Sequence, residues 1–373
     1  MKTAIITLTK GSVELGLGLH ERLMDSELFV PEKHRDMADG KGITFTEITD
    51  VAEKAFSEYD GLVFIMATGI VVRVIAPFIK GKDMDPAVVV MDEAGKFAIS
   101  LLSGHLGGAN ELAGEVAGLT GATPVITTAT DVCNKPCAEG IARELDCEIE
   151  NVARIKKVNS AFLHDEKVAI NLPAGEREAI AGCGNFIFFG TLQGLLASEC
   201  TARIAVTNRL TPDILGNCLV FRPMNLVVGI GCNRNTSAEE IEDVAFKVLK
   251  DAGLSQMSIR NLATIDVKRD EDGILKFAEK YGLTIDFFNK EELEETKLVT
   301  PPSLHVIDAV GVGGVCEPAA MLSAKVSTLL VNKVKSGNVT VAVAEMEGTV
   351  PDLRTEQSGV VESGLSPKKG GYF

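Results

Sequence analysis

The chain has 373 residues, of which 46% are hydrophobic and 24% are charged, and its formal net charge is −15. This composition supplies enough apolar material for packed cores and excludes disorder of the whole chain. The excess of acidic residues argues against general nucleic-acid binding, which needs a basic face. At roughly 100–200 residues per domain, the length predicts two or three domains.

Neither the cysteines nor the apolar segments indicate export or insertion into a membrane. None of the eight cysteines forms a Cys-x-x-Cys pair, and Lys10 interrupts the N-terminal apolar residues too early for a secretory signal. We therefore expect free thiols in a reducing cytoplasm and no metal site. The apolar stretch 61–79 has the length of a membrane span, but Arg73 and Pro77 interrupt it, so a buried strand followed by a helix is the better interpretation.

Strand-like and helix-like segments alternate along most of the chain, which is typical of α/β folds with mostly parallel sheets. We predict an N-terminal α/β domain over 1–130, a small α/β middle domain over 131–225, a C-terminal α/β domain over 226–350 and a flexible tail over 351–373. The tail is rich in proline, glycine and serine and shows no periodicity. The expected architecture is thus two α/β domains joined by a smaller one.

In chain order, short runs rich in valine and isoleucine predict strands, and apolar residues at helical spacing predict helices. The predicted strands cover 4–9, 61–67, 87–92, 97–102, 124–128, 186–189, 218–221, 226–231, 265–267, 284–288, 328–331 and 339–344. The predicted helices cover 13–24, 107–119, 273–281, 290–295 and 317–324, and a further helix begins at Ser237 in a capping box with Glu240. Open α/β sheets bind ligands at the turns that follow their strands.

The first turn of interest is basic. Thr68 and Gly69 follow a predicted strand, and Arg73, Lys80 and Lys82 come next with no acidic residue before Lys82. Backbone amides at the start of a helix, together with a nearby arginine, can bind an anion. The same residues are equally compatible with a simple turn followed by a surface arginine.

The second turn holds the best acid/base candidate. Between strand 97–102 and the following helix lie Ser103, Gly104, His105, Gly107, Gly108 and Asn110. The glycines allow a ligand to approach the backbone closely, and exposed amides can stabilise an oxyanion. His105 can exchange protons near neutral pH. The alternative is that its ring only locks the turn through a structural hydrogen bond.

The turn after strand 124–128 is rich in hydroxyl groups. Thr128, Thr130 and Asp131 either bind a polar ligand or cap the next helix. The sequence alone leaves these two alternatives open.

Two turns in the C-terminal domain complete the set. Gly231 and Arg234 follow strand 226–231, and Arg234 stands where a dinucleotide fingerprint needs its third glycine. An anion site is therefore the better interpretation there. Glu317 follows a glycine-rich loop at 311–314 and is either a capping or a catalytic carboxylate.

The motifs at 68–73, 101–110 and 125–131 together resemble the CbiG family of cobalamin biosynthesis. The similarity is most specific at 101–110 and extends over about residues 1–346. The segments 229–232, 236–241, 265–268, 317–320 and 339–344 resemble CobE, a small separate protein of the aerobic pathway. Cys133 and Cys137 are unusual for the family.

This resemblance implies hydrolysis of cobalt-precorrin-5A in the anaerobic route to cobalamin. The family reaction opens the ring A δ-lactone and releases the meso carbon with its methyl group as acetaldehyde, giving cobalt-precorrin-5B. Cobalt arrives in the substrate, so the resemblance implies no cofactor and no metal held by the protein. The implied partner is the cobalt-corrinoid substrate, with neighbouring pathway enzymes as further candidates and neither nucleic acid nor membrane.

On this hypothesis the candidate residues take separate roles. His105 is the acid/base, and Asp131 or Glu317 orients either its ring or the attacking water. Amides near Gly107 and Gly108 hold the oxyanion, and Arg73 with Lys80 or Lys82 grips carboxylates of the substrate. Further candidates for substrate binding are Thr68, Gly69, Ser103, Gly104, Asn110, Thr128, Thr130, Gly231 and Arg234.

Basic residues gather near strand ends at 73–82, Arg234, Lys268, Lys333 and Lys335. This distribution predicts a local basic cleft between the two α/β domains for a small polyanion.

The main alternative function is a non-catalytic carrier of a tetrapyrrole intermediate. A nicotinamide oxidoreductase is a second alternative, which the missing glycine disfavours.

Overall fold

The structure, a computed structural model, describes residues 1–81, 84–133, 135–296 and 313–347. Its strands form three sheets, each from a separate part of the chain, and ten of the fourteen strand pairings in these ranges are parallel. Helices alternate with the strands, so the predicted α/β class is confirmed. Lys82, the loop residues 311–312 and the predicted tail lie outside the described residues.

The first sheet has seven strands in the order β3-β2-β1-β4-β5-β6-β7. Its elements are β1 (Thr3–Thr7), α1 (Lys10–His20), β2 (Ser26–Pro31), α2 (Arg35–Ala38), β3 (Ile43–Phe45), α3 (Ile48–Glu58), β4 (Gly61–Ile65), α4 (Thr68–Ile75), β5 (Ala87–Met91), β6 (Phe97–Leu102), α5 (Ala109–Thr120), β7 (Thr123–Val125) and α6 (Ala129–Val132).

Both faces of this first sheet are buried, which explains the long apolar stretch at 61–79. Successive strand residues point to opposite faces, so Ile5 packs with α1 and α5, and Ile6 packs with α3 and α4. β4 and β5 are buried along their whole length, as expected for parallel strands covered on both sides. Within the described ranges, no helix is long and apolar enough to cross a membrane.

The direction of β6 decides where the turns of the first sheet lie. β4 and β5 are parallel, whereas β6 runs antiparallel to β5, with Leu102 opposite Val88 and Ala98 opposite Met91. β7 is parallel to β6. The turns after β6 and β7 therefore lie at the edge where β5 begins, and the turn after β4 lies at the opposite edge. Five strand residues separate these edges by about 15 Å.

The middle sheet has the strand order β10-β9-β11-β12-β8. Its elements are α7 (Ala138–Glu144), β8 (Cys147–Ile149), α8 (Ile155–Leu163), β9 (Val168–Asn171), β10 (Phe186–Phe189), α9 (Leu192–Leu196), β11 (Ala202–Val206), α10 (Pro212–Leu215) and β12 (Leu219–Pro223). Most of its strands are parallel, and β8 joins β12 as an antiparallel edge strand.

The C-terminal sheet has the strand order β15-β14-β13-β17-β16 and mixes parallel with antiparallel pairings. Its elements are β13 (Leu226–Cys232), α11 (Ala238–Asp251), β14 (Ile259–Ile265), α12 (Asp272–Tyr281), β15 (Thr284–Phe288), α13 (Lys290–Glu295), α14 (Cys316–Ala324), β16 (Val331–Ser336) and β17 (Val339–Glu345). α11 and α12 pack on one face of this sheet, and α14 packs on the other.

A short link joins the middle and C-terminal sheets. β12 ends at Pro223 and β13 begins at Leu226, so two residues separate the two strands. One of them, Asn225, donates from Nδ2 to the Glu345 carboxylate at 3.3 Å, and Asn208 donates to the same oxygen at 2.7 Å. The link is therefore fixed from both sides.

Some predicted elements of the C-terminal domain are wrong. The predicted strand 265–267 is the end of β14 followed by a 3-10 turn at Asp266–Lys268, because the apolar run 262–265 belongs to an earlier strand. The predicted strand 328–331 begins later, as β16, whose alternating lysines hide its apolar signal. Ser237 caps α11 as predicted, but the Glu240 carboxylate binds the amides of Asn338 instead of completing the capping box.

One glycine sets the distance between α14 and the C-terminal sheet. A Cβ atom on Gly229, in the centre of β13, would lie 1.9 Å from the carbonyl oxygen of Cys316 and 2.9 Å from Cβ of Ala320. The helix therefore rests directly on the strand backbone, and this close approach places the start of α14 beside the end of β13.

We predict that Gly229→Ala destabilises the C-terminal domain by about 3 kcal/mol, because the new methyl group overlaps the backbone of α14. Urea unfolding followed by circular dichroism measures the change. Gly118→Ala is the control, because a Cβ there meets no atom within 4 Å, and it should be neutral or slightly stabilising. Equal unfolding midpoints for Gly229→Ala and the unmodified chain would contradict the close approach.

Candidate functional site

Two turns of the first sheet meet at the edge where β5 begins. His105, after β6, places Nε2 2.8 Å from Thr130 Oγ1 and 3.3 Å from Asp131 Oδ2, both after β7. Asn110, at the start of α5, donates from Nδ2 to Thr128 Oγ1 and to Asp131 Oδ2, each at 3.2 Å. These five residues, which we call the His105 cluster, were all predicted as candidates, and the structure brings them together.

The ring of His105 is held by neighbours on both sides. Its side chain is only 14% exposed. The Asp131 carboxylate, when ionised, only accepts hydrogen bonds, so its contact favours a proton on Nε2. The other ring nitrogen, Nδ1, lies 3.7 Å from Sγ of Cys137. A carboxylate that fixes one ring nitrogen leaves the other to exchange protons.

The backbone of the turn between β6 and α5 is strained. Ser103 has a φ of 58°, in the left-handed region that is rare for a residue with a side chain, whereas Gly108, with a φ of 84°, adopts this region freely. The Oγ of Ser103 is buried and has no hydrogen-bond partner within the described ranges. Such an unsatisfied group costs about 1–3 kcal/mol. Backbone strain of this kind concentrates at functional sites.

Glycines let this turn pack tightly. A Cβ atom on Gly107 would lie 2.4 Å from Cβ of Ser103, and one on Gly104 would lie 2.9 Å from Oδ1 of Asn110. The Gly108 amide donates to the carbonyl of His105 at 3.2 Å, so it is not available for the predicted oxyanion contact. Of the two predicted amides, that of Gly107 remains the candidate.

The middle domain covers the His105 cluster. Leu106 packs against the core of that domain, and Arg143 on α7 pairs with Glu111 on α5 at 2.5 Å. A cavity of about 270 Å³ opens between the two domains, and its lining includes His105, Glu139, Arg143, Asp146 and Glu148. The acid/base candidate therefore faces a space that both domains enclose.

A second cavity, of about 610 Å³, lies where β13 and β14 end, beside the start of α14. Its lining includes Gly231, Arg234, Lys268, Lys333 and Lys335 together with apolar residues. We call it the C-terminal cavity. All its lining residues belong to the C-terminal part of the chain, whereas the sequence predicted a basic cleft between two domains.

Two of the four cations in the C-terminal cavity are paired with acids. Arg234 lies 2.5 Å from Asp270, and its hydrogen bond lowers the pKa of that carboxyl. The Nζ atom of Lys268 lies 3.1 Å from Glu271, which also approaches Arg234. These contacts reduce the positive charge that a ligand would meet.

Lys333 and Lys335 are the other two cations of the C-terminal cavity. They stand two apart in the edge strand β16, so their side chains leave the same face of the strand. Neither ammonium group forms an ion pair with a carboxylate of the described residues. An anion in this cavity would therefore meet these two lysines first.

The structure separates the first predicted turn from His105. Thr68 and Gly69 begin α4 at the opposite edge of the sheet. Arg73 Nη1 donates to the carbonyl of Gly69 at 2.8 Å, which directs the guanidinium towards that edge. A joint grip of one ligand by Arg73 and His105 is therefore not supported. The physical reason is the antiparallel direction of β6.

Two more predicted residues lie outside the His105 cluster. Lys80 is in the loop that leads into β5, where its amide donates to the buried Asp85 carboxylate at 2.8 Å. Glu317 is 1% exposed in the C-terminal domain, and its Oε1 accepts the backbone amide of Lys333 at 3.0 Å. Glu317 therefore does not orient His105, and the predicted alternative, Asp131, is the residue in contact with the ring.

Sequence reasoning missed three residues of the site. Ser100 donates from Oγ to Oδ1 of Asn110 at 2.7 Å, and Arg143 and Cys137 approach the cluster from the middle domain. Because side chains alternate between the two faces of a strand, the sequence of β6 does indicate which of its residues share a face with Ser100. No local pattern indicates which residues of another domain will approach.

Known proteins are similar to this chain along most of its length. Three family profiles match it: Cobalamin synthesis G N-terminal over residues 50–131, Cobalamin biosynthesis central region over 139–223 and Cobalamin synthesis G C-terminus over 226–344. The cobalt-precorrin-5A hydrolase of Priestia megaterium is 36% identical over 352 residues, which cover 91% of this chain and 94% of that protein.

Two further relatives are similar to most of the chain or to part of it. The cobalt-precorrin-5A hydrolase of Salmonella typhimurium (strain LT2) is 34% identical over 326 residues, covering 86% of this chain and 91% of that protein. Protein CobE of a Sinorhizobium species is 36% identical over 121 residues, covering 32% of this chain and 79% of that protein.

We predict that Gly107→Ala disrupts the turn that carries His105 and costs about 1–3 kcal/mol, because its Cβ overlaps Ser103. Urea unfolding measures the cost, and the histidine ring signals in NMR spectra report the displacement. Gly114→Ala lies in α5, the helix that follows the turn, and its new Cβ meets no atom within 4 Å, so it should leave both unchanged or raise stability slightly. If both variants behave alike, the packing of the turn is not as described.

Proposed function

We propose a role for each part of this chain, which belongs to the CbiG family of cobalamin biosynthesis and hydrolyses cobalt-precorrin-5A. The reaction opens the ring A δ-lactone and then releases the meso carbon with its methyl group as acetaldehyde, leaving cobalt-precorrin-5B. Both steps need a group that accepts and returns protons and a donor that stabilises negative charge on oxygen. The His105 cluster is the proposed place for both.

In the first step, water attacks the carbonyl carbon of the lactone. His105 takes a proton from the water through Nδ1 as the new C–O bond forms, and the Gly107 amide donates to the oxyanion. The tetrahedral intermediate then collapses, the ring C–O bond breaks, and His105 returns the proton to the departing alkoxide. The products of this step are a free hydroxyl group and a carboxylic acid, which gives up its proton to solvent and becomes a carboxylate.

In the second step, His105 removes the proton of the new hydroxyl group. The C=O bond of acetaldehyde forms as the C–C bond to the macrocycle breaks, and the electron pair passes to the conjugated ring. The ring carbon then takes up the proton from His105. No oxidant or reductant enters either step, cobalt travels in the substrate, and we propose that the protein needs no cofactor of its own.

The contact between His105 and Asp131 is the observation that supports this assignment most. It joins a titratable ring to a carboxylate at 3.3 Å, in a place that is mostly shielded from solvent but opens on a cavity. Thr130 and Asn110 hold the two groups in position from either side. An imidazole oriented in this way is a common acid/base unit in hydrolases.

We predict that His105→Gln lowers the rate of acetaldehyde release at least about 100-fold, the usual contribution of a general acid/base. The measurement is anaerobic turnover of cobalt-precorrin-5A with acetaldehyde as the product assayed. His164→Gln is the matched control, because that ring is exposed and its hydrogen bond is to the carbonyl of Ser160 in its own helix turn, and it should keep full activity.

The same assay, run on the variant and on the unmodified chain, also separates the alternatives. Retained turnover would contradict the role of His105. Binding of the substrate without acetaldehyde release by the unmodified chain would indicate a carrier instead of a hydrolase. A requirement for added nicotinamide cofactor would indicate an oxidoreductase.

We further propose that the C-terminal cavity binds the carboxylates of the macrocycle. Gly231 and Arg234 were predicted as substrate-binding residues, and they line this cavity together with Lys333 and Lys335. Apolar walls suit the faces of a large conjugated ring, and lysines in the lining suit its peripheral acids. The excess of acid over the whole chain therefore does not prevent binding of a polyanion.

We predict that the double variant Lys333→Gln/Lys335→Gln raises the dissociation constant of the macrocycle about 10-fold and flattens its dependence on salt, because it removes two cations that have no carboxylate partner among the described residues. Titration of the full chain at 50 and 300 mM NaCl measures both effects. Lys290→Gln, on α13 and outside the cavity, is the control and should change neither. An unchanged constant in the double variant would exclude the cavity as the carboxylate site.

We propose that the protein acts in the cytoplasm. Its proposed partners are the pathway enzymes that make its substrate and use its product. All eight cysteines are free thiols in the structure, which suits a reducing compartment. We propose neither a membrane nor a nucleic acid as a partner.

A further inference from the structure

Cys137 stands at the border between the N-terminal and middle domains. It is the N-cap of α7, and its Sγ accepts the backbone amide of Gly140 at 3.3 Å. The same sulfur lies 3.7 Å from Nδ1 of His105, a distance that suits a hydrogen bond with the larger sulfur atom. Cys137 is thus the middle-domain residue that contacts the ring nitrogen left free by Asp131.

We propose that Cys137 is a positioning residue for the reaction. Its thiol donates a hydrogen bond to Nδ1 of His105, holds the ring as the tautomer with a proton on Nε2, and thereby makes the middle domain part of the acid/base site. This inference rests on the proposed role of His105 and adds the group that prepares its proton-accepting atom.

The sulfur has its proton available for this bond. Burial of the thiol raises the pKa of Cys137 to about 11, so the group stays an S–H at neutral pH and acts as a donor. The Gly140 amide meanwhile uses the sulfur as an acceptor. Both capacities of the thiol, one as donor and one as acceptor, are therefore used by these two neighbours.

The opposite side of the ring supports the same tautomer. Asp131 and Thr130 face Nε2, and a carboxylate there requires a donor on the ring. If Nδ1 carried the proton instead, Nε2 and Asp131 would both present lone pairs to each other. A thiol at Nδ1 and a carboxylate at Nε2 thus favour one protonation state of the neutral ring.

Other ionisable groups surround this ring, on the elements that line the shared cavity and on α6. They are Asp131, Glu139, Arg143, Asp146, Cys147 and Glu148. The variants below leave all of these unchanged. A difference between the variants therefore reports on the sulfur.

The thiol also explains how the ring can act on a substrate. A thiol is a weak hydrogen-bond donor, so water or a substrate hydroxyl that enters the cavity can displace it from Nδ1. A hydroxyl in its place would bind Nδ1 more strongly and compete with the substrate for the same lone pair. Sulfur therefore orients the ring without blocking it.

The first test needs no substrate. Full-length chain with 15N-labelled histidine is examined by long-range 1H–15N NMR at pH 8, and the His105 signals are assigned by their loss in His105→Gln. We expect the unmodified chain to carry the proton on Nε2, and Cys137→Ala to move the Nδ1 resonance downfield, towards that of a nitrogen without a donor. Cys137→Ser should keep the Nδ1 resonance on the hydrogen-bonded side.

The second test is the pH dependence of kcat/KM for acetaldehyde release. A hydrogen bond donated to the neutral ring disfavours its protonation, so Cys137→Ala should move the acidic limb of the profile to higher pH and lower the rate at neutral pH about 3–10-fold. Cys137→Ser retains a donor and a helix cap, so it should return the limb to its original position or below it. Cys183→Ser, an exposed cysteine of the middle domain, should change nothing.

Two kinds of result would overturn the proposal, one from the NMR spectra and one from the kinetics. One is a proton on Nδ1 in the unmodified chain, or the same Nδ1 resonance with and without the thiol. The other is a uniform loss of rate in Cys137→Ala with an unshifted profile, which would assign Cys137 a structural role only. The NMR test is independent of turnover. If it contradicts the role of Cys137, the hydrolase assignment still stands. The NMR result can likewise be interpreted whether or not His105→Gln is active.

Discussion

The antiparallel pairing of β5 with β6 is the constraint on which the acid/base site depends. If β6 ran parallel to β5, the turn with His105 would lie at the edge of Thr68 and Arg73. Its reversal instead brings the turns after β6 and β7 together at the edge where β5 begins, next to the middle domain. One strand direction thus decides which polar residues meet and which second domain can approach them.

The division of labour between the domains follows from this placement. The first sheet supplies a histidine with its carboxylate, the middle domain supplies the wall of the cavity and a thiol, and the C-terminal sheet supplies a separate space lined by cations. Acid/base chemistry and recognition of carboxylates make opposite demands on local charge. Keeping them on different sheets lets the lysines face an anion without surrounding the imidazole with positive charge.

Much of this arrangement can be predicted from the sequence, because alternating strands and helices and small polar turns are local patterns. The apolar runs at 61–65 and 87–91 and the glycines around His105 identify the first sheet and its turn. Strand direction is not a local pattern, so the sequence alone predicts a joint role for Arg73 and His105 and leaves Glu317 open as a partner of the histidine ring. The contact with Cys137 joins two domains, and the lysines of β16 belong to an edge strand with a weak apolar signal.

The two-residue link between β12 and β13 restricts how this molecule can move. Two extended strands joined this closely, with Asn225 and Asn208 both bonded to Glu345, leave the C-terminal sheet little freedom to rotate against the middle sheet. Met224, the other residue of the link, lines the cavity beside His105. The connection that fixes the orientation of these two sheets therefore also forms part of the wall around the proposed acid/base site.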